Sequence, residues 1–350
     1  MTVIYKWYSA HNARNLFNTH SLMAIPSQLG VCLTNQCNLR CKYCMRQQFK
    51  PPAGKITLSM LQSLLKKMPY IRGICIMGLC EPLLNDELPD ILRWLQDEGH
   101  YGISLTTNGM VTINDDMLDA LTRVGTLVFS IDTADEETFK YLRGGAELKK
   151  VMGNLIRVIE YKHAHNLDRM NNPPIYINAV MTRRNFAQVP RLIEMLEPYA
   201  ADLTYLMLDP VSRPDYQRFE SPLMLAKEEI GADLERFRRI AKESPLNTLG
   251  LDYMLEGSSN WGNCYMAWDG MFIEPNGDAY FCYNYDYVIG NVFKEDPLQV
   301  WNSSRAQEFR QKLLSSNPPL EQCHSCNFAR SGWQPEGDYA RQKLNRKDIT

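Results

Sequence analysis

The sequence predicts an α/β fold: a partial (β/α)6 barrel followed by a small α+β unit at the C-terminal end. Three observations predict it. Short β-branched and apolar runs alternate with stretches of helical period up to about residue 208, the pattern of a parallel sheet covered by helices. Six such runs can be counted, which falls short of the eight that close a full barrel. Beyond about residue 252 the composition turns to aromatics, Gly and Asn with hairpin cues such as "IEPNGDAYFC".

Taken in order, the strand candidates are "LGVCLT" (29–34), "GICIMG" (73–78), "GISLTT" (102–107), "TLVFSID" (126–132), "IYINAVM" (175–181) and "LTYLML" (203–208). Between them lie amphipathic segments, among them "LSMLQSLLKKM", "DELPDILRWLQDEG" and "VMGNLIRVIEYKHAHN"; several open on a capping Ser, Asn or Asp, and the second closes at Gly99. A polar, Pro-containing stretch, "DPVSRPDYQRFESP", leads to a helix expected over about 227–242. The expected organisation is an N-terminal extension (1–27), the barrel (28–225), a linker helix (226–251), a cysteine-bearing C-terminal unit (252–332) and a tail (333–350).

With 350 residues, 45% of them hydrophobic, the chain can bury a substantial core. A net charge of -2 supplies no basic field for nucleic acid or an acidic membrane. Neither a run of eighteen apolar residues nor a secretion signal is visible, so a soluble cytoplasmic protein is expected.

Ten cysteines in clusters suit metal ligation better than a disulfide framework. Cys37, Cys41 and Cys44 form one group in the loop after the first strand; Cys264, Cys282, Cys323 and Cys326 form another; Cys32, Cys75 and Cys80 stand alone. In α/β sheets reactive groups gather where the strands end and the βα loops converge, which is where the first group falls. Three thiolates on a short loop can occupy three corners of an iron–sulfur cube and leave the fourth iron open. Zinc is the alternative for both groups, and four thiolates with the spacing Cys323-x2-Cys326 fit it more readily than three do.

The spacing Cys37-x3-Cys41-x2-Cys44, with aromatic Tyr43 before the last thiol and six β/α units around it, resembles the radical S-adenosylmethionine superfamily. That resemblance implies a 4Fe-4S cluster on these three cysteines, with its open iron chelated by the amino and carboxylate groups of S-adenosylmethionine. It also implies reductive cleavage to a 5′-deoxyadenosyl radical that abstracts hydrogen from substrate. "MGLCEPLLN" resembles the family's Gly-Gly-Glu-Pro element in Gly78, Glu81 and Pro82, with Cys80 in place of a glycine. "LTTNG" resembles the end of the third strand, with Asn108 shaping the pocket; "FSIDTADEETFKYLRGG" resembles the fourth, with Ser130 in the pocket and Arg143 either pairing the methionine carboxylate or standing as a solvated cation at a helix end; "INAVMTRRN" resembles the fifth, with Asn178 facing the ribose or held by an internal hydrogen bond.

Cys264-x12-Gly277-x4-Cys282 followed by Cys323-x2-Cys326 resembles the SPASM auxiliary domain, and more closely its shortened Twitch form, because no cysteine follows Cys326. One auxiliary 4Fe-4S cluster, closed by four thiolates and acting as an electron carrier, is therefore expected. The resemblance as a whole implies an oxidoreductase supplied with electrons by a flavodoxin or ferredoxin. The expected substrate is a small polar molecule, sugar- or aminocyclitol-like, since only about 27 residues precede the first strand, too few for a peptide-recognition domain. Peptide modification (crosslinking, oxidation or epimerisation) and a non-catalytic iron–sulfur electron carrier are the alternatives. Asp209, Arg213, Tyr216 and Tyr283 to Tyr285 are candidate substrate contacts, weighed against ordinary loop packing; His324 reads as a surface residue.

Overall fold

The computed structural model describes residues 26–98, 101–165, 167, 174–211, 220, 227–251, 266–282 and 287–315. All its named strands join one ten-stranded sheet: β1 (Gln28–Val31), β2 (Gly73–Ile76), β3 (Gly102–Thr107), β4 (Thr126–Ser130), β5 (Ile175–Met181), β6 (Leu203–Pro210), β7 (Thr248–Leu249), β8 (Gly270–Ile273), β9 (Asp278–Tyr280) and β10 (Gly290–Asn291). Their spatial order is β10-β9-β8-β1-β2-β3-β4-β5-β6-β7. Strands β1 to β7 pair in parallel, as six β/α units require, and each of the six expected runs is a strand.

Two features go beyond expectation. First, β8 pairs in parallel with β1, so the hairpin β8–β9 and strand β10 of the C-terminal unit extend the barrel's own sheet, a junction the sequence reading left unspecified. The hairpin cue was legible, but its partner lies 242 residues away, beyond any local pattern; Ser27 Oγ bonding Asp269 marks that junction. Second, "TL" at 248–249 adds the short strand β7 beside β6, within the stretch read as a linker, after a helix at Lys227–Glu243.

The order β1 to β6 is strictly sequential, so right-handed crossovers place the helices on one face and leave the other free. The strands record this as alternation. In β5 the residues Ile175, Ile177, Ala179 and Met181 are buried under helices, whereas Tyr176, Asn178 and Val180 between them are half-buried. In β6, Leu206, Leu208 and Pro210 are buried and Met207 and Asp209 are half-buried. Helices Leu58–Lys67, Leu88–Asp97 and Val189–Leu196 send Leu61, Ile91, Leu92 and Ile193 into that core. Local chemistry starts several of them: Thr57 accepts from Met60 N at 3.2 Å, Asn114 from Met117 N at 2.9 Å and Asp135 from Thr138 N at 2.8 Å.

Candidate functional site

The three-thiol loop leaves β1 and runs over the C-terminal ends of β2 to β4. It is tied down from two sides. On one side Gln36 O accepts from Glu81 N at 2.9 Å. On the other, Lys42 N donates to Leu142 O at 2.8 Å and the Cys41 thiol points to Arg143 O at 3.8 Å. The turn after helix Glu136–Leu142 makes this approach possible. Gly144 has φ +62°, and a Cβ there would stand 2.3 Å from Arg40 O, so the "RGG" in the sequence is the seat of the cysteine loop.

Arg143 is neither a solvated helix-end cation nor an open fork. Its Nε and Nη2 donate to Asp132 Oδ2 and Oδ1 at 2.8 and 2.7 Å, and only 4% of the residue is exposed. Burial opposes its charge, but Asp132, Tyr43 and Cys41 outweigh it and hold the pKa above the ordinary value. Asp132 also receives the Tyr43 hydroxyl at 2.5 Å and Val180 N at 2.9 Å. This carboxylate gathers the cysteine loop, the fourth strand end and the fifth strand. Sequence reasoning noted its place at a strand end but missed its role. The signal was an Asp two residues after Ser130 with an Arg eleven residues on, and only tertiary contact makes those one unit.

Glu81 forms a second knot. Its carboxylate, 1% exposed, accepts from Thr107 Oγ1 at 2.7 Å, Asn108 N at 2.7 Å and Leu83 N at 3.1 Å. Burial lifts its pKa to about 7 against the pull of those hydrogen bonds. Its side chain therefore binds the second strand end to the third. Pro82 begins the short helix that Glu81 caps. Asn108 passes the link on: its Nδ2 donates to Asn38 Oδ1 at 2.8 Å and lies 3.9 Å from the Cys37 sulfur. Gly78, at φ +137°, is packed against the side chain of Cys32, and the Cys32 thiol donates to Thr34 O at 3.2 Å with Cys80 beside it.

Ser130 and Asn178 are partners in register, with Met207 next in the same row. All three belong to the half-buried set on the helix-free face. Asn178 Oδ1 is buried and meets no hydrogen-bond donor among the described residues, so the internal-bond alternative finds no support for that oxygen.

Of the second group of cysteines only Cys282 is described; Cys264, Cys323 and Cys326 lie outside the described residues, as do Arg213, Tyr216, Tyr283 to Tyr285 and His324. Cys282 follows β9, and β8 lies directly beside β1. It shares a solvent-open cavity of about 200 Å³ with Gln48, Lys50 and Leu79 from the first two βα loops and with Glu274 and Tyr280 from the hairpin. Cys282 thus faces a space that is also lined by the loops following β1 and β2. Behind Cys282 the guanidinium of Arg310, fully buried, donates to Ala267 O at 2.8 Å and Trp301 O at 2.9 Å and lies 4.7 and 4.5 Å from the centroids of the Phe281 and Trp301 rings.

The donor set fits an iron–sulfur cluster with S-adenosylmethionine. Burial pushes the Cys37 and Cys41 thiols up, Cys41 to about 12, so a cationic metal is what would draw them into the thiolate form. Among the described residues no three His, Cys, Asp or Glu side chains close around one point as a single ion would need, whereas the corners of a cube are further apart. The orphaned Asn178 oxygen suits a hydroxyl-bearing ligand over the free face of the sheet.

Comparison with known proteins agrees with this geometry. A family model described as the radical SAM superfamily matches residues 31–212, and one described as the SPASM iron-sulfur cluster-binding domain matches residues 264–327. A probable GTP 3',8-cyclase of Archaeoglobus fulgidus is 27% identical over 225 residues, 63% of this chain and 70% of that one. A GTP 3',8-cyclase of Erythrobacter litoralis is 31% identical over 216 residues, 59% of this chain; the match spans 62% of that relative's length. Among solved structures, Streptococcus suis SuiB bound to precursor peptide SuiA superposes with a TM-score of 0.63 at 18% identity, covering 91% of this chain and 74% of that one, a likeness of fold.

Proposed function

The chain belongs to the radical SAM superfamily and carries a SPASM C-terminal domain, and from that premise we propose that it is an oxidoreductase acting on a small polar substrate, with its auxiliary cluster as electron acceptor. Membership brings a SAM-binding 4Fe-4S cluster, an auxiliary iron–sulfur cluster and S-adenosylmethionine. When bound, these supply a 5′-deoxyadenosyl radical able to take a hydrogen atom from an unactivated carbon.

The residues of this chain place and shield that chemistry. Cys37, Cys41 and Cys44 would hold the first cluster, and Cys264, Cys282, Cys323 and Cys326 the second. Asp132 and Arg143 fix the loop that carries Cys41, and Tyr43 is fixed with it. Glu81 and Asn108 fix Cys37 from the opposite side. The methionine moiety would lie against Gly78, the loop through Pro82 and the Arg143 end, and the ribose against Ser130 and Asn178. The observation that supports the oxidative reading is the cavity that Cys282 shares with Gln48, Lys50 and Leu79 of the first two βα loops, the loops that carry Cys44 and Gly78. Held by Cys264, Cys282, Cys323 and Cys326, the auxiliary cluster would supply a one-electron acceptor, which with hydrogen-atom abstraction and loss of a proton to a base would balance a two-electron oxidation. The names of the two curated relatives, enzymes of a nucleotide, favour a small polar substrate. Among the described residues no helix is long and apolar enough to cross a membrane, which accords with a cytoplasmic enzyme fed by flavodoxin or ferredoxin.

The test is anaerobic reconstitution, reduction and S-adenosylmethionine. Wild type releases 5′-deoxyadenosine; Cys41→Ala releases none; Cys282→Ala keeps some release but loses substrate oxidation. Equal loss in both variants overturns the division of labour, and turnover of a peptide in place of a metabolite moves the substrate assignment to peptide modification.

A further inference from the structure

The helix-free face of the sheet carries an acidic side chain, Asp209, that no described residue neutralises. Asp209 is the last polar residue of β6 and belongs to the half-buried set of that strand. Its register partner is Val180, two residues beyond Asn178 on the same face of β5, so Asp209 and Asn178 are diagonal neighbours at the end of the barrel where the cysteine loop lies. Asp132 is committed to Arg143, Tyr43 and Val180, Glu81 to three donors, and Glu274, in the cavity of Cys282, accepts the Tyr280 hydroxyl through one oxygen while its other oxygen meets no donor among the described residues. Asp209 has no hydrogen bond or ion pair with any described residue, and burial alone lifts its pKa to about 6.

A half-buried carboxylate with no donor among the described residues stays open to a ligand that can supply one. Because Asp132 already holds the Arg143 charge, that guanidinium does not answer Asp209, and a cation answers a carboxylate better than a neutral hydroxyl does. We propose that Asp209 is the substrate-recognition carboxylate and that it holds a protonated primary amine of the substrate over the free face of the sheet. This deepens the small-polar-substrate reading and rests on it: the ammonium on β6 and the ribose on Asn178 of β5 set the substrate beside the carbon that receives the abstracted hydrogen.

The experiment uses the reconstituted, unreduced holoenzyme with S-adenosylmethionine bound, and ethanolammonium as the probe. Saturation-transfer NMR and calorimetric titration compare wild type, Asp209→Asn and Asp209→Glu, with ethylene glycol as the uncharged control; iron content and the melting curve verify that each variant is loaded and folded. The expected result is saturable binding to wild type, at least a ten-fold weaker affinity in Asp209→Asn, partial retention in Asp209→Glu, and weaker binding of ethylene glycol. Affinity unchanged by Asp209→Asn, or ethylene glycol bound as tightly as ethanolammonium, overturns the proposal. Should the variants fail to fold, a crystal of the wild-type holoenzyme soaked in ethanolammonium decides it: the ammonium within hydrogen-bonding distance of Asp209 supports the proposal, and any other position refutes it. Release of 5′-deoxyadenosine on reduction is scored separately, so failure of the amine site and failure of the radical reading are told apart.

Discussion

Two buried arginines, one in each half of the sheet, hold the two thiol-bearing segments by different physics. Arg143, below the cysteine loop, is in a bidentate pair with Asp132, and the pair is closed to water, with side chains 5% and 0% exposed. Arg310, behind Cys282, lies over the faces of Phe281 and Trp301, with two backbone carbonyls on its Nε and Nη1, and burial pushes its pKa down to about 9. It stays charged at neutral pH all the same. The difference teaches what each site needs. A loop with no regular structure must be gathered from several strand ends, and a carboxylate that accepts from Arg143, Tyr43 and Val180 does that. A hairpin already held by its strand ladder needs only a rigid backing, which aromatic faces and carbonyls provide.

Breaking the first arrangement should cost most. Asp132→Ala leaves a buried guanidinium unpaired and is expected to lower stability by about 3–5 kcal/mol, read by denaturant unfolding. Iron bound by the three-thiol loop should fall with it, because Tyr43 and the Arg143 turn lose their anchor. Arg310→Met should cost less, about 2–3 kcal/mol, the worth of one or two hydrogen bonds from a charged donor together with the aromatic contacts. Its iron loss should be confined to the auxiliary cluster, as resolved by Mössbauer spectra of the two sites. Equal loss at both clusters would erase the contrast between the halves. Gly144→Ala tests the seat of the loop directly: the αL backbone and the contact with Arg40 O predict about 1–3 kcal/mol of strain, with slower cluster reconstitution as the measured outcome.

The smallest effect sharpens the comparison through pH. The Asp209 pKa is raised from 3.8 to about 6, so between those values the folded state binds more protons than the unfolded one. Stability contributed at this site is therefore present below about pH 3.8 and lost as pH rises through about 6. Unfolding of Asp209→Asn followed over that range should lack this decline, while Arg310→Met should retain it. A decline of equal size in Asp209→Asn would show that the carboxylate is not isolated.

Much of this was legible beforehand for definite reasons. The periods of two and near four along the chain located the six strands and their helices, and Cys37, Cys41, Cys44 and the "CEP" and "TNG" segments marked the strand ends of the site. The fate of Arg143 was not legible, because a helix-end arginine reads the same whether water or Asp132 meets it. Glu81 was placed correctly on the loop, yet its binding of Thr107 and Asn108 follows only from β2 and β3 being neighbours.

By itself the sequence determined the order of strands and helices and the thiol spacing of the cysteine loop, because hydrophobic period and ligand spacing are properties of short stretches of chain. Only the tertiary structure decided that β8 joins β1 across most of the chain's length, that Asp132 and not solvent answers Arg143, and that Asp209 has no partner among the described residues. Those depend on which groups meet after the chain has closed on itself, where burial makes each pairing, or the want of one, energetically decisive.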